Sequence, residues 1–153
     1  MQDIRRSVLE LRDKIEKCEY AEAIETGTRL LMRKKKISKG ILQEIKFLIG
    51  ESHYWLEDYE NAARSFQESY NLGGNADGFI VMRLGEAKFY LQQERDAANL
   101  LMGAYMLRGK ELFQSEPQEI KKFMRLVKRS KSLDAFRNLK TDFTLAADPL
   151  STE

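Results

Sequence analysis

The side chains that could transfer a proton, attack a carbonyl or hold a metal are few in this 153-residue chain, and they are scattered. The one histidine, His53, has no second histidine at metal-ligand spacing. The one cysteine, Cys18, can form neither an internal disulfide nor a thiolate zinc site alone, and a single thiol fits a reducing compartment. Gly73-Gly74 is followed by no Gly-Lys-Ser/Thr ending and preceded by no apolar strand, so it is not a phosphate loop. Glu57 and Asp58 are neighbouring carboxylates of the kind a solvated helix end carries. Packing is the favoured reading for His53, and a helix or turn position for Cys18. The sequence therefore predicts no enzyme, no metal site, no cofactor and no small-molecule substrate.

Charge narrows the partners. Lysine and arginine total 26 against 24 aspartates and glutamates, a net +2 that is too small for the field that dominates nucleic-acid binding. Two basic runs stand out: Arg33 to Lys36 with Lys39, and Lys121, Lys122, Arg125, Lys128, Arg129 and Lys131 with no acid among them. Neither is interleaved with aromatics that would stack on bases, so each is read as a solvated face before a nucleic-acid site. The opening MQDIRRSVLE lacks the apolar core of a secretory signal, and no run of about 18 apolar residues occurs, so a soluble cytoplasmic protein without a membrane partner is expected.

The elements behind these residues are helical. Two prolines, nine glycines and no useful alternating β-branched run leave helix as the default across a chain sized for one domain. Residues 56–66, LEDYENAARSF, align with residues 91–101, LQQERDAANLL, at an offset of 35, and Ile49-Gly50 and Tyr70 fall on Leu84-Gly85 and Tyr105 at the same offset. A weaker copy, Tyr20 to Ile24, matches Tyr59 to Ala63 at an offset of 39, with the four extra residues expected in the connection Arg33 to Gly40. Helices are predicted at 3–17 and 20–33, 40–56 and 59–72, 77–91 and 94–108. Gly73-Gly74-Asn75 and Gly109 are the predicted stops. After Pro117, Ile120, Phe123, Met124 and Val127 recur at helical spacing and predict a helix that covers the last apolar face. Residues 132–146 are expected to add a short helix on Leu133, Phe136 and Leu139, followed by a flexible tail.

Leu84-Gly85, Gly50, Ala62 and Phe66, and Ala97 and Ala104, in a unit of 35 residues, resemble the tetratricopeptide repeat (TPR) family, a helix-turn-helix solenoid. Repeat three departs from the family pattern in carrying Leu101 at the aromatic position, and no proline ends either repeat. The resemblance implies an all-α solenoid of about three repeats (3–36, 40–74, 77–109) with a capping helix at 117–131. Gly50 is expected to oppose Ala62, and Gly85 to oppose Ala97, where helix backbones approach.

In that family the first helix of each repeat lines a concave groove. Carried over position by position, the resemblance implies partner contacts from Arg5, Val8, Arg12 and Ile15, from Glu44, Phe47, Glu51, Tyr54 and Trp55, and from Phe79, Met82, Glu86, Phe89 and Tyr90. Several of the aromatics could equally be ordinary packing, and Tyr54 and Trp55, ~100° apart on a helix, cannot both be central. Simple solvation is the plainer reading of Glu51 and Glu86. Where the family's carboxylate clamp has lysine and asparagine, this chain has those two glutamates, which implies rejection of acidic chaperone tails and preference for a protein ligand with apolar anchors and basic groups.

The expected function is a non-catalytic module that sequesters or chaperones one dedicated protein. Leu107 to Pro117 resembles short bacterial TPR proteins, some of them immunity proteins against a neighbouring toxin. A type III secretion-like export chaperone, or a regulator that binds nucleic acid through the basic last helix, are the alternatives.

Overall fold

The computed structural model describes residues 3–33 and 35–132. Seven α-helices carry the fold: α1 (Ile4–Glu16), α2 (Tyr20–Leu31), α3 (Lys39–Trp55), α4 (Tyr59–Asn71), α5 (Gly78–Tyr90), α6 (Glu94–Arg108) and α7 (Gln118–Ser132), with short 3-10 turns at Gly74–Ala76 and Lys110–Phe113. No strand occurs among the described residues, and no helix among them is long and apolar enough to cross a membrane. Of the stretch expected at 132–153, only Ser132 is described, as the end of α7; Leu133, Phe136, Leu139 and the expected tail lie outside the described residues.

α1 with α2, α3 with α4, and α5 with α6 form three hairpins, and each hairpin packs on the next through α2 on α3 and α4 on α5, with α7 against α6. Each hairpin turns in the same way. Cys18, Glu57 and Gln92 stand at φ 60°, 61° and 62°, at the offsets read from the sequence. The amide of each donates to a carbonyl three residues back, on Ile15, Tyr54 and Phe89. The next amide reaches five back, from Glu19 to Lys14, Asp58 to His53 and Gln93 to Lys88. That paired bonding satisfies carbonyls left open at a helix end. None of the three is glycine, so each turn carries a steric cost that the hairpin packing offsets.

Helix starts follow from side-chain caps. Asp3 Oδ1, Ser38 Oγ and Asp58 Oδ1 accept from the amides of Arg5, Ile41 and Asn61, and Asp77 Oδ1 accepts from Phe79 and Ile80. Gly73, at φ 112°, ends the second hairpin and Gly109, at φ 83°, ends the third, as expected. The four extra residues are placed differently from the expectation. They do not swell the connection; they add a turn to the start of α3, which has 17 residues where α1 and α5 have 13. Ser38 caps the helix within one residue of its expected start, and a Cβ on Gly40 in the added turn would meet nothing within 4 Å.

Three apolar clusters run along the stack, one for each junction. Val8, Leu11, Ala23, Leu30, Ile45, Leu48 and Ile49 join the first two hairpins. Phe66 is enclosed between α3, α4 and α5 with Tyr54, Ala62, Ala63, Leu84 and Ala87. The third cluster joins α5 and α6 to α7 through Met82, Leu101, Ile120, Phe123 and Val127. The small residues matter where expected, with a correction in their partners. A Cβ on Gly50 would sit 2.6 Å from the Phe66 ring, and one on Gly85 would sit 2.8 Å from Leu101 Cγ, so the glycines make room for those side chains more directly than for Ala62 and Ala97.

Candidate functional site

Arg83 is the point where the second and third hairpins and the segment before α7 meet. It lies on α5 in an otherwise apolar run, Phe79 to Leu84, and is only 6% exposed. Its Nε donates to Glu51 Oε1 of α3 at 2.5 Å, and its Nη1 donates to Glu86 Oε1 and to Glu116 Oε1, both at 2.7 Å. The guanidinium also sits 4.9 Å from the ring centres of Tyr54 and Phe79 and 5.5 Å from that of Trp55. Three elements thus converge on one cation: α3, α5 and the segment that leads into α7.

Three carboxylates around one guanidinium cannot all be ionised cheaply. Glu86 is fully buried, and its Oε2 has no hydrogen-bond donor from the described residues. Burial, and then the facing Glu116 carboxyl, push its pKa well above the usual carboxylate value and outweigh Arg83. Glu86 therefore holds its proton under conditions where an exposed glutamate releases it. Burial works against the Arg83 charge, but Glu51, Glu86 and Glu116 together hold its pKa above the ordinary arginine value.

Glu51 and Glu86, expected to accept a partner's basic groups with simple solvation as the plainer alternative, are not solvated. Both are buried, and the basic group that they accept is Arg83 of the same chain. A ligand cation at these two oxygens would have to displace it. Met82 is likewise fully buried, in the cluster with α6 and α7. Val8 is buried in the first junction and Ile15 is partly buried there. Phe47 is half-buried, with its ring 5.7 Å from that of Phe79 and 5.6 Å from that of Phe66. Phe89 is half-buried against Phe123 of α7 at 4.8 Å. Arg12 and Glu44, both placed in the groove, pair with each other across α1 and α3 at 2.5 Å. Arg5 is exposed at a basic recess with Arg33, Lys35 and Lys36.

Of the adjacent aromatics, Tyr54 is buried and Trp55 is 50% exposed. Trp55 borders an open recess of about 440 Å³ lined also by Tyr54, Tyr59, Tyr90, Glu57, Glu116 and Glu119. Tyr59 and Tyr90 stack at 4.5 Å with their planes 18° apart, and the Tyr90 hydroxyl donates to Glu119 Oε1 at 2.9 Å. Trp55 Nε1 donates to Glu51 Oε2 at 3.3 Å, which ties the exposed indole to the buried ionic cluster below it. Burial, followed by the bond to Glu119, raises the Tyr90 pKa, so its hydroxyl stays a neutral donor. The recess combines aromatic side chains with the carboxylates of Glu57, Glu119 and the Arg83-bound Glu116, and no cation is among its lining residues.

Sequence reasoning missed four members of this site: Tyr59, Arg83, Glu116 and Glu119. Arg83 carried a readable signal, a lone charge inside an apolar helical run one turn before Glu86. Glu116 and Glu119 carried none, because they reach the site only through the path of the chain between α6 and α7. His53 packs at the second hairpin turn, 3.3 Å from Asp58, and Cys18 is an exposed turn residue. No known protein-family model matches this chain, and no curated protein matches it.

Proposed function

We propose that this chain is a non-catalytic binding module of the tetratricopeptide type, and that it holds one dedicated protein partner through the face formed by α3, α5 and the start of α7. Recurrence of the same left-handed turn at Cys18, Glu57 and Gln92, with glycine at the closest helix approaches, supports TPR-like stacking of the hairpins. The observation that carries the functional reading is the recess beside Trp55. A half-exposed indole and stacked tyrosines next to Glu57 and Glu119 suit a lysine or arginine side chain flanked by apolar residues. Cation–π contact is worth about 0.5–2 kcal/mol according to desolvation. The carboxylates add charge-assisted hydrogen bonds and disfavour an acidic chain end.

Affinity capture from the native lysate at low and high salt, with the wild-type chain and a Trp55→Ala, Glu119→Gln variant as baits, tests this reading. One stoichiometric protein that survives high salt on the wild type and is lost on the variant is the expected result, and its identity separates a toxin from an export substrate. Equal capture by both baits, with helicity unchanged, would move the binding surface to the outer helices and overturn the assignment.

A further inference from the structure

A second recess lies between the end of α6, the 3-10 turn after it and α7, and its chemistry is opposite to the first. It has a volume of about 380 Å³ and is lined by Tyr105, Phe113 and Met124 below and by Lys110, Lys121, Arg125 and Lys128 around. Phe113 and Met124 are buried parts of the third cluster, so the floor is apolar. Lys128 lies over the Tyr105 ring at 4.5 Å and donates to its hydroxyl at 3.3 Å. None of the four cations has a carboxylate within 4.0 Å among the described residues. By contrast, Arg12, Arg29, Lys46 and Arg83 each have such a partner. Four like charges held around one apolar hollow repel each other, and an anionic occupant would relieve that repulsion.

We infer that this recess is a docking site for an acidic protein segment that carries an apolar anchor residue. The floor takes the anchor and the four cations take the flanking carboxylates. The floor favours a peptide over nucleic acid, because stacking of bases needs open aromatic faces. Here Phe113 is buried and Lys128 already covers Tyr105. Glu119 and Lys121, two residues and ~200° apart around α7, fall in different recesses, so one helix separates a cation-accepting site from an anion-accepting one. This site stands independently of the recess beside Trp55.

The test is fluorescence anisotropy of the full chain with three labelled probes. These are a 12-residue peptide with phenylalanine and leucine between aspartates and glutamates, its counterpart with asparagine and glutamine at the acids, and a single-stranded oligonucleotide. The acidic peptide should bind, weaken at least ten-fold between 50 and 300 mM salt, and exceed both other probes at least ten-fold. Lys121→Glu with Arg125→Glu should lose at least ten-fold, with far-UV helicity retained. Lys122→Glu, on α7 but outside the recess, should change binding less than three-fold. Tighter binding of the oligonucleotide, or equal binding of the neutral peptide, overturns the inference. So does absence of peptide binding, as would follow if the chain's own residues 141–153, with Asp142, Asp148, Glu153 and no cation, took the place of a partner.

Discussion

The junction between the first and second hairpins and the junction between the second and third share one turn geometry, yet they are filled in opposite ways. In the first, Val8, Leu11, Ile45 and Ile49 meet as an apolar layer, and Arg12 of α1 pairs with Glu44 of α3 in a more exposed position. In the second, Arg83 carries the charge inside, where Glu51, Glu86 and Glu116 surround it. Arg83 falls on Leu48 at the offset of 35, so the position that carries the buried charge in the third hairpin is aliphatic in the second. An apolar junction gains stability from area alone, whereas a buried ion cluster offsets desolvation with little surplus and holds its members in a fixed geometry. The ionic junction is also the one that supports Trp55 through Glu51 and brings the α7 segment in through Glu116. The recess beside Trp55 therefore adjoins the junction that holds the buried charge.

Breaking the ionic junction should produce the largest effect. Arg83→Met leaves the Glu51 and Glu116 carboxylates without their cation and Glu86 without its donor, and should cost about 3–5 kcal/mol, read from urea unfolding, with Glu116 and the start of α7 loosened first. In the apolar junction, Leu11→Ala should cost about 2–4 kcal/mol through the cavity it opens, with no change in pH dependence.

Glu86→Gln should act in the other direction. The raised pKa means that Glu86 keeps a proton in the folded chain that the unfolded chain releases above pH 4.5, its ordinary value. Its favourable contribution is full below that pH and is lost as pH climbs through the folded value. Glutamine keeps an oxygen for Arg83 and offers an amide to Glu116, so the variant should gain about 1–2 kcal/mol at pH 8 and little at pH 4. Parallel loss of stability with pH in wild type and variant would contradict the assignment of the proton. The smallest expected effect belongs to the geometry that both junctions share. Gln92→Gly relieves a left-handed backbone at an exposed turn and should add about 0.5–1 kcal/mol by thermal unfolding.

Much of the fold was legible because it rests on local rules. Helix spans, the stops at Gly73 and Gly109, and the buried set Ile120, Phe123, Met124 and Val127 follow from periodicity and turn chemistry, which a single stretch of chain contains. The span of α3 was legible, 40–56 expected against Lys39–Trp55, but the four-residue offset was assigned to the connection, because a basic, polar stretch before Gly40 reads equally as loop or as helix start. The site was half legible. Alignment placed Glu51 and Glu86 at equivalent positions, but whether a carboxylate faces water or a buried cation depends on a partner 32 residues away for Glu51 and on Glu116, 33 residues beyond Arg83. Trp55 and Tyr54 were separable by helix angle, but which of them faces outward depended on the packing around Phe66.

The central claim is that the recess beside Trp55 accepts a cationic side chain. Trp55 is the only tryptophan of the chain, so its emission reports on that recess alone. Emission should be followed while the protein is titrated with a short peptide that carries arginine between two apolar residues, and with the same peptide carrying neutral citrulline in its place. A saturable change with the arginine peptide, absent with citrulline and weakened at least five-fold by Glu119→Gln, is the predicted result. An unchanged spectrum, or the same change with both peptides, would contradict it.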